Sequence, residues 1–245
     1  MPRLAFLAPL VLAAAALAAC ASLPPQAAGA LPADALLLGE QHDAPSHSRL
    51  HHETVAGLAR RNRLPALALE MAEHGAGTTG LPADADEAAV REALQWNEQA
   101  WPWSSYGPAV MAAVRAGVPV LGANLPRDRM RASMADESLD TLLPAQALAR
   151  QREAVAQGHC GLLPQARIAP MTRIQVARDQ AMAQAVAQAA QPGKTVVLLA
   201  GSAHVDPELG VPLHLPPALR AVPVLWPAEA TGQDYCAQLR QQLGR

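Results

Sequence analysis

The sequence predicts an α/β fold with a mainly parallel sheet flanked by helices, and three observations predict it. Four short apolar runs are continuous rather than alternating, as strands covered on both faces must be. Helix-length segments separate those runs. A polar, mostly glycine-bearing segment follows each run, at the carboxyl end where open parallel sheets bind ligands.

The first element is a targeting segment. Arg3 supplies a basic start, Leu4 to Leu17 is almost wholly apolar, and Leu17-Ala18-Ala19-Cys20 puts a cysteine at the first position after a small-residue cleavage site. The run is too short to span a bilayer and Pro9 interrupts it. Residues 1–19 therefore read as a lipoprotein signal peptide, with Cys20 acylated (diacylglycerol and palmitate). Ala21 follows Cys20, not an Asp that would favour the inner membrane. This predicts a cell-envelope protein anchored in the outer membrane and facing the periplasm. Residues 20–33, rich in Ala and Pro, form a tether, and residues 34–245 a single α/β domain.

Within that domain the predicted strands are Ala35–Leu38, Ala66–Leu69, Val118–Leu121 and Thr195–Leu199, with an edge strand at Val222–Leu225. The predicted helices are Ser46–Asn62 with Ser46 as its cap, Asp86–Trp96, Pro108–Ala116 ending at Gly117, Ala145–Gln157 and Pro170–Ala190. Net charge is −2 and no basic stripe occurs, Lys194 being the sole lysine, which argues against a nucleic-acid partner. Once Cys20 is acylated, Cys160 and Cys236 remain as an even pair in an oxidising compartment, open to a disulfide or to two free thiols.

The strand ends carry the chemistry. Gly39-Glu40-Gln41-His42-Asp43, Glu70-Met71, Gly122-Ala123-Asn124 and Gly201-Ser202-Ala203-His204 each follow a strand and should meet at one rim. Glu40 and His42, two apart on an extended chain, suit an acid–base pair or a metal ion. His47 and His51 share a helix face, which reads either as part of that site or as a solvated polar face. Several familiar motifs do not fit. His52-Glu53 lacks a second His at position 56, Gly193-Lys194-Thr195 enters a strand and is a turn, and Gly-x-Ser-x-Gly is absent.

One set of motifs occurs in order: Gly39-Glu40-x-His42, Leu69-Glu70-Met71, Trp103-x-x-Tyr106, Ala123-Asn124-x-Pro126-Arg127, His159-Cys160-Gly161-x-x-Pro164, Met171-x-x-x-Gln175-x-x-Arg178-Asp179 and Gly201-x-x-His204. From about Leu36 to Val205 the chain resembles the ChaN-like haem-binding lipoproteins. These belong to a superfamily with Tiki-type proteases, TraB-type proteins and erythromycin-esterase-like enzymes. The resemblance implies a Rossmann-like core with a helical subdomain, and a role in haem and iron acquisition. It also implies a homodimer around paired haems, and an outer-membrane receptor is a further expected partner.

On that resemblance Tyr106 is the candidate phenolate ligand to haem iron, with His42, Trp103, Asn124, Arg127 and His204 around the cofactor, and Trp101 and Pro102 adding flat apolar surface. Without Cys-x-x-Cys-His the haem would be held non-covalently. The alternative from the same superfamily is a metal-dependent hydrolase. There Glu40, His42 and His204 would hold a divalent metal ion and supply the catalytic groups, and Arg127 or Arg178 would stabilise developing charge. A third expectation is structural: a periplasmic binding partner for a transporter or receptor, with no chemistry of its own. The ligand is haem or another small molecule on the first reading only.

Overall fold

The computed structural model describes residues 33–242, so the predicted signal, Cys20 and most of the tether lie outside the described residues. Five strands, β1 (Ala35–Glu40), β2 (Leu67–Glu73), β3 (Val120–Asn124), β4 (Val196–Gly201) and β5 (Ala221–Leu225), form one sheet in the order β3-β2-β4-β1-β5. Every pairing is parallel. β5 lies at an edge, as expected, where Pro223 is tolerated because one side of the strand needs no ladder donor. β1 to β4 run two to four residues past the predicted apolar runs. Glu40, Glu70, Asn124 and Gly201 are thus strand residues with a fixed backbone, not loop residues.

Seven α-helices occur among the described residues: α1 (Pro45–Arg60), α2 (Glu87–Ala93), α3 (Trp103–Arg115), α4 (Arg127–Ala135), α5 (Ala145–Gly158), α6 (Gln165–Ala189) and α7 (Tyr235–Gln242). Ser46 does not cap α1. Pro45 opens that helix after Ala44, and the Ser46 hydroxyl instead donates to Glu229. α3 and α6 each start five residues before the expected proline, so Pro108 and Pro170 sit in the second turn, where each forfeits one i→i−4 bond. α4 buries none of its residues, which explains why no apolar periodicity announced it.

Strand side chains alternate between two covered faces. Leu36, Leu38, Leu67, Leu69 and Leu199 pack with Val55 and Leu58 of α1 and Val110 of α3. Ala35, Leu37, Ala68 and Leu198 pack against Met182 and Val186 of α6. Leu139, Leu143, Ala147, Val176 and Ala177 make a small separate core around α5 and α6, the helical subdomain. Cys160 and Cys236 are joined in a disulfide, with their Cα atoms 5.6 Å apart, so α7 is tied to the end of α5. No helix of the described residues is long and apolar enough to cross a membrane.

Candidate functional site

Two buried carboxylates organise the carboxyl rim. The first is Glu40, the last residue of β1 and 4% exposed. Its Oε1 accepts from the Tyr106 hydroxyl of α3 at 2.6 Å and from His42 Nδ1 at 2.7 Å. Because a carboxylate only accepts, the proton sits on Nδ1, and Nε2 lies on the Gly201 side of the ring. His42 remains 42% exposed. Burial lowers its pKa, but the bond to Glu40 and the charges of Glu70 and Glu40 outweigh that and raise it. A Cβ at Gly201 would stand 2.8 Å from His42 Nε2, so glycine there keeps the imidazole's place open. His51 is fully buried with Nε2 3.4 Å from Glu40 Oε2, and burial pushes its pKa down to about 4, leaving it neutral.

Glu70 is the second. It lies where β2 slips register against β3, between Leu69 and Glu73. Gly122 makes that bulge fit, because any Cβ there would collide with the Glu73 carbonyl. Glu70 accepts from the Gly201 backbone N–H at 2.6 Å and from Arg178 Nη2 at 2.5 Å. His204 Nε2 stands 3.4 Å from it, while His204 Nδ1 contacts Asp179 Oδ1 at 2.5 Å. Burial opposes charge on His204, but Glu70 and Asp179 overcome it and push its pKa up to about 9. Burial likewise works against the Glu70 carboxylate, and His204 and Arg178 reverse that and lower its pKa. Asp179, fully buried, has its pKa raised by that burial. Asn124 locks the arrangement, donating to the Glu70 carbonyl and accepting from Arg178 Nε, both at 2.9 Å.

The two networks meet under an open cavity of about 600 Å³, whose lining includes Glu40, His42, Glu70, Arg178, His204 and Tyr235. A smaller cavity of about 390 Å³ lies on the far side of Glu70 and Arg178, lined among others by Trp101, Asn124 and Arg127. The structure therefore gathers Glu40, His42, Glu70, Asn124 and His204 at one rim, as the strand-end pattern predicted.

Other expectations are corrected. Tyr106 is 1% exposed, and burial, then Glu40, raise its pKa far above the ordinary phenol value. It is a buried donor to Glu40, not an open phenolate. Trp103 is also buried, with Nε1 donating to Glu87 at 2.9 Å, and stands away from the cavity wall. Arg127 is 69% exposed beside Glu73. Among the described residues no group of three or more His, Cys, Asp or Glu is arranged to hold a metal ion. Glu40 and His42 hold each other, and both His204 nitrogens face acids. His47 and His51 are buried against the Trp226 ring, at centroid distances of 5.3 and 5.2 Å, and form no solvated face.

Sequence reasoning missed Trp226 and Tyr235, which also line the larger cavity. Trp226 directly follows β5, so the rule applied to the first four strands would have found it. Tyr235 is 52% exposed. The hydroxyls of Thr231 and Tyr235 beside Asp43 hold that carboxyl down to about 2, and Asp43 in turn raises the Tyr235 pKa.

Fold and rim together define a single-sheet α/β protein with one open imidazole and one open phenol above two buried acid networks. The chain belongs to the ChaN family of the Tiki superfamily, described as haem-binding uptake, whose model matches residues 27–215. Trp226, Tyr235 and Cys236 lie beyond the matched residues. Among solved structures it is similar to ChaN of Campylobacter jejuni, described with cofacial haem binding. That likeness has 24% identity and a TM-score of 0.62, over 79% of this chain and 81% of that one. A comparison with curated proteins gave no match.

Proposed function

We propose that this protein binds haem non-covalently in the larger rim cavity and serves haem and iron acquisition in the cell envelope. One observation carries the reading. In a member of a haem-uptake family, the exposed His42, oriented by Glu40, and the exposed phenol of Tyr235 line the same open cavity. Imidazole and phenolate are both axial ligands of haem iron. The cavity fits the rest of a haem. The Trp226 ring offers apolar surface, and Arg178 offers a cation to a propionate. Bound ferric haem would supply a Lewis-acidic iron to these donors.

Signal and anchor belong to the same proposal. Residues 1–19 would be removed and Cys20 acylated, placing the domain on a membrane facing the periplasm. A homodimer as the haem-loaded form and an outer-membrane receptor as source are further parts of it. The test is a haemin titration of the purified chain, with its molar mass and metal content measured. We expect a Soret band saturating at a fixed stoichiometry and changed in position by His42→Ala. Absence of the band, with a bound divalent metal and ester or peptide hydrolysis lost in Glu40→Ala, would overturn the reading in favour of the hydrolase. Labelling with palmitate, lost in Cys20→Ala, tests the anchor.

A further inference from the structure

From Leu225 to Gln242 no residue is buried, and α7 contributes nothing to any core. This segment nevertheless forms one wall of the cavity, because Trp226, Ala228 and Tyr235 line it. At its near end, polar contacts to the first turn of the β1–α1 connection hold it. Gln41 exchanges two side-chain bonds with the Glu229 backbone, at 3.0 and 2.9 Å, and His47 Nε2 reaches the Pro227 carbonyl at 3.3 Å. At its far end the covalent tie is Cys160–Cys236, and Tyr235 is the residue directly before Cys236.

The other half of the bond is built at a cost. Cys160 has φ +57°, in the left-handed region that L residues rarely adopt, in the turn that ends α5 and next to Gly161 at φ +67°. A glycine would fill Cys160's position more easily, so the side chain there has a use. The bond is the covalent anchor of the segment's far end, and the residue it anchors most closely is the exposed phenol.

We propose that the Cys160–Cys236 disulfide is a positioning device for the haem site: it holds Tyr235 at the cavity, so the iron-ligand set is complete only in the oxidised protein. This rests on the haem reading given above. Reduction by a dithiol breaks the S–S bond, delivers two electrons and two protons to give two thiols, and leaves the reductant as its own disulfide. The freed segment then keeps Trp226 and Glu229 at its near end, and at Tyr235 only the exposed hydrogen bonding of its hydroxyl with Asp43 and Thr231, so Tyr235 spends less time where iron can take it.

The test compares four forms of the full chain: oxidised, reduced with dithiothreitol and alkylated, the Cys160→Ala/Cys236→Ala double variant, and Tyr235→Phe. Each is titrated with haemin after the reductant is removed. The oxidised chain should show phenolate-to-iron charge-transfer absorption. The reduced and double-variant forms should lose it and match Tyr235→Phe, with affinity weakened about ten- to a hundred-fold. Adding Tyr235→Phe to the double variant should cost nothing more.

Hydrogen exchange of amides 227–242 supplies a readout independent of haem, and it should speed up when the bond is opened. Unchanged exchange, or a double variant with the oxidised spectrum and affinity, overturns the proposal. So does a double variant that loses haem while Tyr235→Phe keeps both spectrum and affinity. If the oxidised chain takes no haem at all, the haem reading fails, and faster exchange in the double variant still tells whether the bond anchors the segment.

Discussion

The floor and the wall of the cavity are built on opposite principles. In the floor, Glu40, Glu70, Asp179 and His204 are each 4% exposed or less, and each is tied to partners from other elements. In the wall, no residue of 225–242 is fully buried, and the segment depends on Trp226 packed against His47 and His51, on polar contacts to the β1–α1 connection and on one disulfide. The floor's geometry is set by the parallel ladder, because Glu40 and Gly201 pair across β1 and β4, and Glu70 directly follows Leu69, which pairs with Leu199. The wall's geometry is set by a covalent tie. On the proposed function, a rigid charged floor with a tethered wall separates two tasks: orienting His42 from below, and offering the Tyr235 phenol from the side.

If that contrast is right, damage to the floor must appear as lost stability. The largest expected effect is from Glu70→Ala. It leaves the Arg178 guanidinium and the charged His204 without their shared carboxylate inside the protein. Removing one partner of a buried pair costs about 3–5 kcal/mol, and urea unfolding at pH 7 should show that loss. An unfolding free energy within 1 kcal/mol of the parent would mean the floor is not held by this network.

The same network predicts a pH dependence. The folded pKa of His204 is raised to about 9, against about 6.5 when free. Its contribution is therefore full below about pH 6.5 and is lost as pH climbs through 9. That difference amounts to about 3 kcal/mol. Wild-type stability should fall by this order between pH 6.5 and 10, and His204→Gln should flatten the fall. Equal slopes in the two proteins would remove the imidazolium from the account.

Floor and wall also differed in how far the sequence revealed them. Continuous apolar runs exposed the sheet, since strands covered on both faces need them, and their polar ends placed Glu40, His42, Asn124 and His204 at one rim. Which of those residues stay open to a ligand did not follow, because burial is a tertiary property. Tyr106 carries a Trp-x-x-Tyr motif, yet α3 begins early enough to turn its ring under Glu40. Arg178 and Asp179 looked like an ordinary mid-helix pair, but Arg178 reaches Glu70 and Asp179 holds His204, both at the cavity. The wall had no periodicity to read. Its position comes from a bond between residues 76 apart, which spacing alone does not predict.

Two tyrosines bring the contrast to its sharpest test. Tyr106→Phe removes a buried donor and leaves Glu40 with one fewer partner, so it should cost about 1–3 kcal/mol. On the proposal that Tyr235 is the iron's phenolate ligand, the haem complex of Tyr106→Phe should keep the phenolate absorption. Tyr235→Phe should do the reverse. Its ring is 52% exposed and its hydroxyl meets Asp43 and Thr231 at the surface, so unfolding free energy should move by no more than about 0.5 kcal/mol. The absorption of the haem complex should nevertheless change in kind. A phenolate band that survives Tyr235→Phe and vanishes in Tyr106→Phe would exchange the roles of floor and wall. It would require the floor to open when haem binds, at the cost of the Tyr106–Glu40 bond.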